Sequence, residues 1–156
     1  MDGLVGFTKM NNLFNTPFEV SIRILLTLSI QSIPVSSDRI LASDFITTYG
    51  HDFDIFPSNL NGDNSYHSSE FIARRALVNA AIKKLVLQRL IQPSQNEQGF
   101  MYSLSDEGKL LIPKFVSIYA EKYLEVAERA KHFLKDRTDK EALLLITEQD
   151  YLQKGE

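Results

Sequence analysis

The segment from residue 16 to residue 32 constrains the fold more than any other part of the chain. Thr16 and Pro17 are typical of a helix N-cap and first helical position. The apolar side chains on one helical face are Phe18, Ile22, Leu25 and Leu28. Glu19 and Arg23 share the opposite face, four positions apart. We therefore expect an amphipathic helix over residues 18–32, placed centrally in the core.

Two more helices are predicted before residue 90. Pro34 ends the first pattern, and the serine and aspartate side chains at 36–38 can cap a helix over 38–49, with Gly50 as its C-terminal cap. Residues 51–68 are rich in turn formers and predict a loop of ~18 residues, a length at which loops are often functional. Ser68 or Ser69 can cap the next helix, predicted over 70–90.

The order of elements that follows is typical of a winged helix. A polar turn over 93–99 separates Leu90 and Ile91 from residues 100–104, whose alternation predicts a strand. The run "YSLSDEGKLL" at 102–111 resembles the end of many winged-helix wings. The predicted fold is mainly α with a small β-hairpin wing: a winged helix-turn-helix domain over 1–112 with a C-terminal helical extension over 113–156.

The predicted helical extension carries an apolar seam that another surface has to cover. A long helix from Pro113 to about residue 135 carries apolar side chains at spacings of three and four: Val116, Tyr119, Tyr123, Val126, Ala130 and Phe133. Either the apolar run 142–146 folds back over the far end of this seam, or a partner protein covers it. In the second case we expect Tyr123 and Phe133 to anchor the contact.

Composition narrows the classes of function. A chain of 156 residues has room for one domain, and the absence of cysteine excludes disulfides, thiolate metal sites and a cysteine nucleophile. The net charge of −3 disfavours free-standing nucleic-acid binding. With neither a signal peptide nor an apolar run long enough to span a membrane, the expected location is the cytoplasm.

Motifs for catalysis are missing from the sequence. The spacing of His51, His67 and His132 matches no zinc or metalloprotease pattern. The sequence contains neither a nucleophile elbow nor a glycine-rich loop that would cradle phosphate. We therefore expect no enzymatic activity, no cofactor and no metal.

The adjacent pair Arg74 and Arg75 is more informative, because both residues border the apolar stripe of the predicted helix. A guanidinium partly removed from water needs carboxylate or carbonyl partners. One explanation is an internal ion pair with an acidic residue of the preceding loop, such as Asp52 or Asp54. The other is direct contact with a protein partner or with phosphate.

Four segments of the chain occur together in a characteristic order: "FNTPFEVSIRILLTL" at 14–28, "HDF" at 51–53, "PSNL" at 57–60 and "SSEFIARRALV" at 68–78. In this order and spacing they resemble the middle component of ABC three-component systems, the group that includes the small subunit of Lamassu-type anti-phage systems. The residues that carry the resemblance are Glu19, Arg23, Asp52, Phe53, Pro57, Ser58, Glu70, Arg74 and Arg75.

The resemblance implies a small adaptor that sits with an SMC-like or Rad50-like ABC ATPase and an effector, commonly a nuclease. It attaches no catalytic role to the motif residues, and it implies that DNA is reached only indirectly, through the complex. The alternative from another class is a free-standing winged-helix transcription regulator, because the helix and wing order would serve it equally well.

Overall fold

The computed structural model describes residues 15–64 and 67–154, without the side chains of residue 67 and of residues 149–154. Within these residues the chain forms six α-helices, one short 3-10 helix and one antiparallel β-hairpin. In chain order the elements are α1 (Pro17–Ser29), α2 (Ser37–Thr48), α3 (His67–Leu87), β1 (Ile91–Asn96), β2 (Gly99–Leu104), α4 (Asp106–Leu111), the 3-10 helix (Ile112–Lys114), α5 (Ile118–Phe133) and α6 (Asp139–Lys154). The prediction of a mainly helical fold with a small hairpin is confirmed.

Side-chain caps explain where several helices begin. The hydroxyl of Thr16 accepts a hydrogen bond from the backbone N–H of Glu19 at 3.2 Å, and Ser36 accepts one from Arg39 at 3.0 Å. Each bond satisfies a backbone donor that the first turn of a helix leaves unpaired. The predicted starts of α1 and α2 are therefore accurate to one residue, whereas α1 ends three residues earlier than predicted.

The hairpin is longer than the sequence suggested. Ile91 pairs with Leu104 and Asn96 with Gly99, so most of the segment predicted as a polar turn is strand. Pro93 is tolerated because of its position in this register. The N–H and the C=O of its partner Tyr102 are both hydrogen-bonded to the backbone of Val35. The Pro93–Tyr102 pair therefore exchanges no hydrogen bonds between β1 and β2. The missing N–H of Pro93 thus faces the outer edge of β1.

The core is built around α2. Every residue from 40 to 48 is buried, and α1, α3, α5 and α6 pack against this helix. The expectation that α1 would be central is therefore only partly right, since α1 is one of four helices around α2. A smaller cluster of Leu26, Ala120, Tyr123 and Ala127 joins α1 to α5.

The C-terminal helices complete this core. Ala142 and Ile146 are 0% and 1% exposed, so the run 142–146 does fold back, although it packs chiefly on α2 and α3. α5 begins only at Ile118, because Ser117 caps it after the 3-10 helix. The helix is consequently shorter than predicted, and its inner face lies within the chain's own core.

Among residues 15–64 and 67–154, no helix has the combination of length and apolar character needed to cross a bilayer.

Candidate functional site

A buried carboxylate lies where four helices meet. Asp44, on α2, is 0% exposed and receives hydrogen bonds from side chains of α1, α3 and α5. Burial opposes ionisation of this carboxyl, but the positive charges of Arg23 and Arg74 outweigh that effect and hold its pKa below its ordinary value. Asp44 is therefore an ionised group at the centre of the helical core.

Arg23 supplies the first pair of donors. From α1 it donates through Nε to Asp44 Oδ1 at 2.9 Å and through Nη2 to Asp44 Oδ2 at 3.1 Å. This fork-to-fork geometry is the strongest that a guanidinium and a carboxylate form. Burial opposes the charge of Arg23, and the adjacent carboxylate more than offsets it, so the pKa of Arg23 is raised. The prediction that Arg23 shares an outer polar face with Glu19 is wrong, because Arg23 is 1% exposed.

Arg74 approaches the same carboxylate from α3. Its Nη1 lies 3.3 Å from Asp44 Oδ2 and also donates to the hydroxyl of Thr48, while Nη2 donates to Glu70 one helical turn earlier. The guanidinium also lies over the rings of Phe45 and Tyr49, 5.2 and 5.6 Å from their centroids. Two arginines and two carboxylates thus make the cluster electrically neutral.

Tyr123 closes the cluster from α5. Its hydroxyl lies 2.6 Å from Asp44 Oδ1 and 2.9 Å from the hydroxyl of Thr27, and the side chain is 0% exposed. Burial, followed by the negative charge of Asp44, raises the pKa of Tyr123 well above its ordinary value. The prediction that Tyr123 anchors an external partner is wrong, because no partner can reach a side chain enclosed by the chain's own helices.

Phe133, the second predicted anchor, is half-buried at the end of α5. Its ring centroid lies 6.4 Å from that of Phe53, and Arg137 lies 5.0 Å from its centroid. Most of its available contact is therefore made within the chain, and a partner role for it stays a prediction.

The two adjacent arginines have different environments. Arg74 forms an internal ion pair, the first of the two explanations that the sequence left open, but its partners are Asp44 and Glu70 rather than the loop residues Asp52 or Asp54. The side chain of Arg75 is 42% exposed and pairs with Asp38 at 3.2 Å. The two positions, 100° apart on the helix, thus divide between core and surface.

All the remaining motif residues except Glu19 belong to the loop after α2. Asn59 organises this loop: its side-chain carbonyl accepts from the backbone N–H of His51 at 2.9 Å, and its amide donates to Asp52 at 3.1 Å and Asp63 at 2.9 Å. Phe53 is 8% exposed and joins the core. Pro57 and Ser58 are exposed, and Glu19 is half-buried at the start of α1. The loop is thus held by its own polar side chains.

The cluster acts as a structural tie between elements that are far apart in sequence. Asp44 accepts four hydrogen bonds from three different side chains, and a carboxylate so occupied is an anchor rather than a proton acceptor. In the part of the chain that the structure describes, histidine and carboxylate side chains form no group of three or more that could hold a metal ion.

Sequence reasoning missed Asp44 and Asn59. Asp44 lies in the segment "LASDFITT", whose other side chains are apolar or small and uncharged. Such a segment is typical of a helix buried on all sides, and a lone carboxylate inside it requires a cationic partner. That signal, combined with Arg74 beside the apolar stripe of its helix, could have identified one half of the cluster.

The fold and the cluster together define a class: a small, mainly helical protein with one β-hairpin, in which three of the motif residues, Arg23, Glu70 and Arg74, meet in a buried ion cluster. The family model for the Middle Component 2 of the ABC-three component system matches residues 13–154, nearly the whole chain. The chain belongs to this family, and the resemblance to ABC three-component middle components is confirmed. Neither a curated protein nor a solved structure matches the chain.

Proposed function

We propose that this chain is a non-catalytic adaptor that links an SMC-like or Rad50-like ABC ATPase to an effector, with a nuclease as the expected effector, in a Lamassu-like anti-phage system of the cytoplasm. The observation that carries the proposal is the family match over residues 13–154. A middle component of a three-component system is by its nature one of several subunits, so chemistry is assigned to the partners.

The geometry of the motif supports an adaptor rather than an enzyme. The charged motif residues are paired inside the protein: Arg23 and Arg74 bind Asp44, and Arg74 also binds Glu70. Asp44 thereby links four helices. A rigid body of this kind presents a fixed surface to its partners, and a preformed surface lowers the entropic cost of association. The hairpin after α3 fits the winged-helix architecture that we propose for residues 1–112.

The alternative, a free-standing transcription regulator, is less well supported. The loop of the hairpin carries Glu97 as its one charged residue, and the chain as a whole carries a net charge of −3. Proteins that bind duplex DNA by themselves usually rely on a basic surface that releases counterions.

Co-expression of the chain with the ATPase and effector encoded in its own system tests the proposal. We expect a tagged form of the chain to co-purify with the ATPase at a fixed stoichiometry after size-exclusion chromatography. For the isolated chain we expect no nucleotide hydrolysis, no stoichiometric metal by elemental analysis and no salt-sensitive binding to duplex DNA. A chain that binds a specific duplex tightly and ignores both subunits would overturn the proposal in favour of the regulator.

A further inference from the structure

An apolar groove opens between α3 and the hairpin. It has a volume of about 390 Å³ and is lined by Ile82, Lys83, Val86, Leu87, Pro93, Phe100 and Tyr102. Pro93 and Tyr102 are cross-strand partners, and Phe100 lies two residues before Tyr102, so all three side chains project from one face of the hairpin. The C-terminal half of α3 forms the facing wall.

Two large side chains of this groove are exposed to solvent. Leu87 is 83% exposed and Phe100 is 60% exposed. Isolated exposed apolar residues are common on protein surfaces, but a concave apolar surface with a charged rim is typical of an interaction site. We infer that this groove docks an amphipathic helix of a partner subunit, with apolar anchors flanked by acidic residues; the inference rests on the proposed adaptor function.

The groove favours a helix over an added strand. The free edge of β1 could pair with an extended peptide only through its outward-facing N–H and C=O groups. Pro93 faces that edge and has no N–H, which breaks the row of donors at its middle. Side chains entering from above, as a helix presents them at i, i+3 and i+4, need no such donors.

The positive charge beside the groove indicates the charge of its partner. Lys83 lines the groove, and Lys84 beside it is also exposed. A symmetric dimer through this face would bring both lysines of each copy into one interface, and this excess of positive charge opposes association. Residues 1–14 carry one aspartate and one lysine, Asp2 and Lys9, so they provide no excess of negative charge. An acidic amphipathic helix satisfies both the apolar floor and the positive charge of Lys83 beside it.

Calorimetric titration of the full chain with the ATPase subunit and with the effector subunit of its own system tests the inference. We expect Leu87→Glu to weaken binding of one subunit at least ~10-fold. A few buried anchor side chains carry most of the binding free energy of an interface, and a carboxylate at position 87 would replace an apolar anchor. Ile72→Glu is the matched control, because Ile72 lies on the same helix and is 71% exposed. We expect this control to bind within about twofold of the unmodified chain. Lys83→Glu should weaken binding at low salt and reduce its dependence on salt.

A photo-crosslinking amino acid at position 87 identifies the occupant. The inference predicts crosslinks to an amphipathic helical segment of the bound subunit with acidic residues on its flanks. Crosslinks to residues 1–14, to a second copy or to an extended segment would overturn it, as would equal binding by folded Leu87→Glu. If the unmodified chain binds neither subunit, the proposed adaptor function fails with it; if the chain binds and Leu87→Glu binds equally, only the groove assignment fails.

Discussion

Asp44 illustrates how a charge can be kept inside a small helical core. Transfer of an ionised carboxylate out of water costs several kcal/mol, and the attraction of a partner compensates for that cost only when the remaining lone pairs are also satisfied. Asp44 meets this requirement through two arginines and the hydroxyl of Tyr123. The same requirement explains why loss of a single partner should be costly.

The two neighbouring arginines provide a direct comparison. We expect Arg74→Ala to lower the free energy of unfolding by about 3 kcal/mol, because Asp44 and Glu70 lose a buried cationic partner. Arg75→Ala should cost less than about 1 kcal/mol, because its ion pair with Asp38 is exposed on both sides. Urea unfolding followed by circular dichroism measures both values. Equal losses at the two positions would contradict the division into core and surface.

The ionisable groups of the cluster also predict how stability depends on pH. The pKa of folded Asp44 lies below its ordinary value of 3.8, because the charges of its arginines outweigh its burial. A depressed pKa contributes stability that is present above pH 3.8 and is lost as pH falls through the folded pKa. Asp44→Asn should therefore be less stable at neutral pH and should lose less stability on acidification, and an unchanged acid profile in this variant would contradict the assignment.

Buried tyrosines set the alkaline limit. Burial is the main cause that raises the pKa of Tyr49 and of Tyr119 to about 12, and it raises that of Tyr123 as well. A raised pKa stabilises the folded state below the ordinary value of 10.0, and that stability is lost as pH rises from 10 through the folded pKa. We expect the urea midpoint to fall above pH 10, and Tyr123→Phe should reduce this fall.

Among the features of secondary structure, the starts of the helices were predicted best, because they depend on side chains close by in the sequence. Hydroxyl caps at Thr16 and Ser36 fixed the starts of two helices, because a cap is a bond between residues three apart and leaves a signal in the local sequence. The extent of β1 was missed, since strand pairing depends on residues on the other side of the turn. The partner of Arg74 was missed for the same reason: Asp44 lies 30 residues away on another helix.

The junction between the hairpin and α4 depends on one glycine. A Cβ built on Gly108 would lie 2.1 Å from the carbonyl oxygen of Leu90, which accepts the backbone N–H of Ser105 at 3.1 Å. Alanine normally favours a helix over glycine by about 1 kcal/mol. Here we expect the opposite sign, with Gly108→Ala lowering the free energy of unfolding by at least about 2 kcal/mol through overpacking.

Thermal and urea unfolding of Gly108→Ala test this expectation, with Glu107→Ala as the control. Glu107 precedes the glycine on the same helix and is exposed, so its replacement should change stability by less than about 0.5 kcal/mol. A Gly108→Ala protein as stable as the control would show that Leu90 and α4 can separate without cost.

In the whole molecule, the family assignment indicates that the chain works with other components, and the internal geometry explains which motif residues stabilise its fold. The ion cluster uses Arg23, Glu70 and Arg74 to fix the packing of α1, α2, α3 and α5, so these motif residues are explained by stability alone. The groove of Leu87 and Phe100 is outside the cluster and remains open to solvent. The division of the chain at residues 112 and 113 stays a prediction.

If this chain links the ATPase to the effector, as we propose, then a reconstitution from purified subunits should require it. Purified ATPase and effector of the same system are mixed with and without the chain, and the mass of each assembly is measured by light scattering after size-exclusion chromatography. We expect a complex of all three subunits when the chain is present and separate ATPase and effector when it is omitted. Stable association of ATPase with effector in the absence of the chain, unchanged by its addition, would contradict the adaptor role.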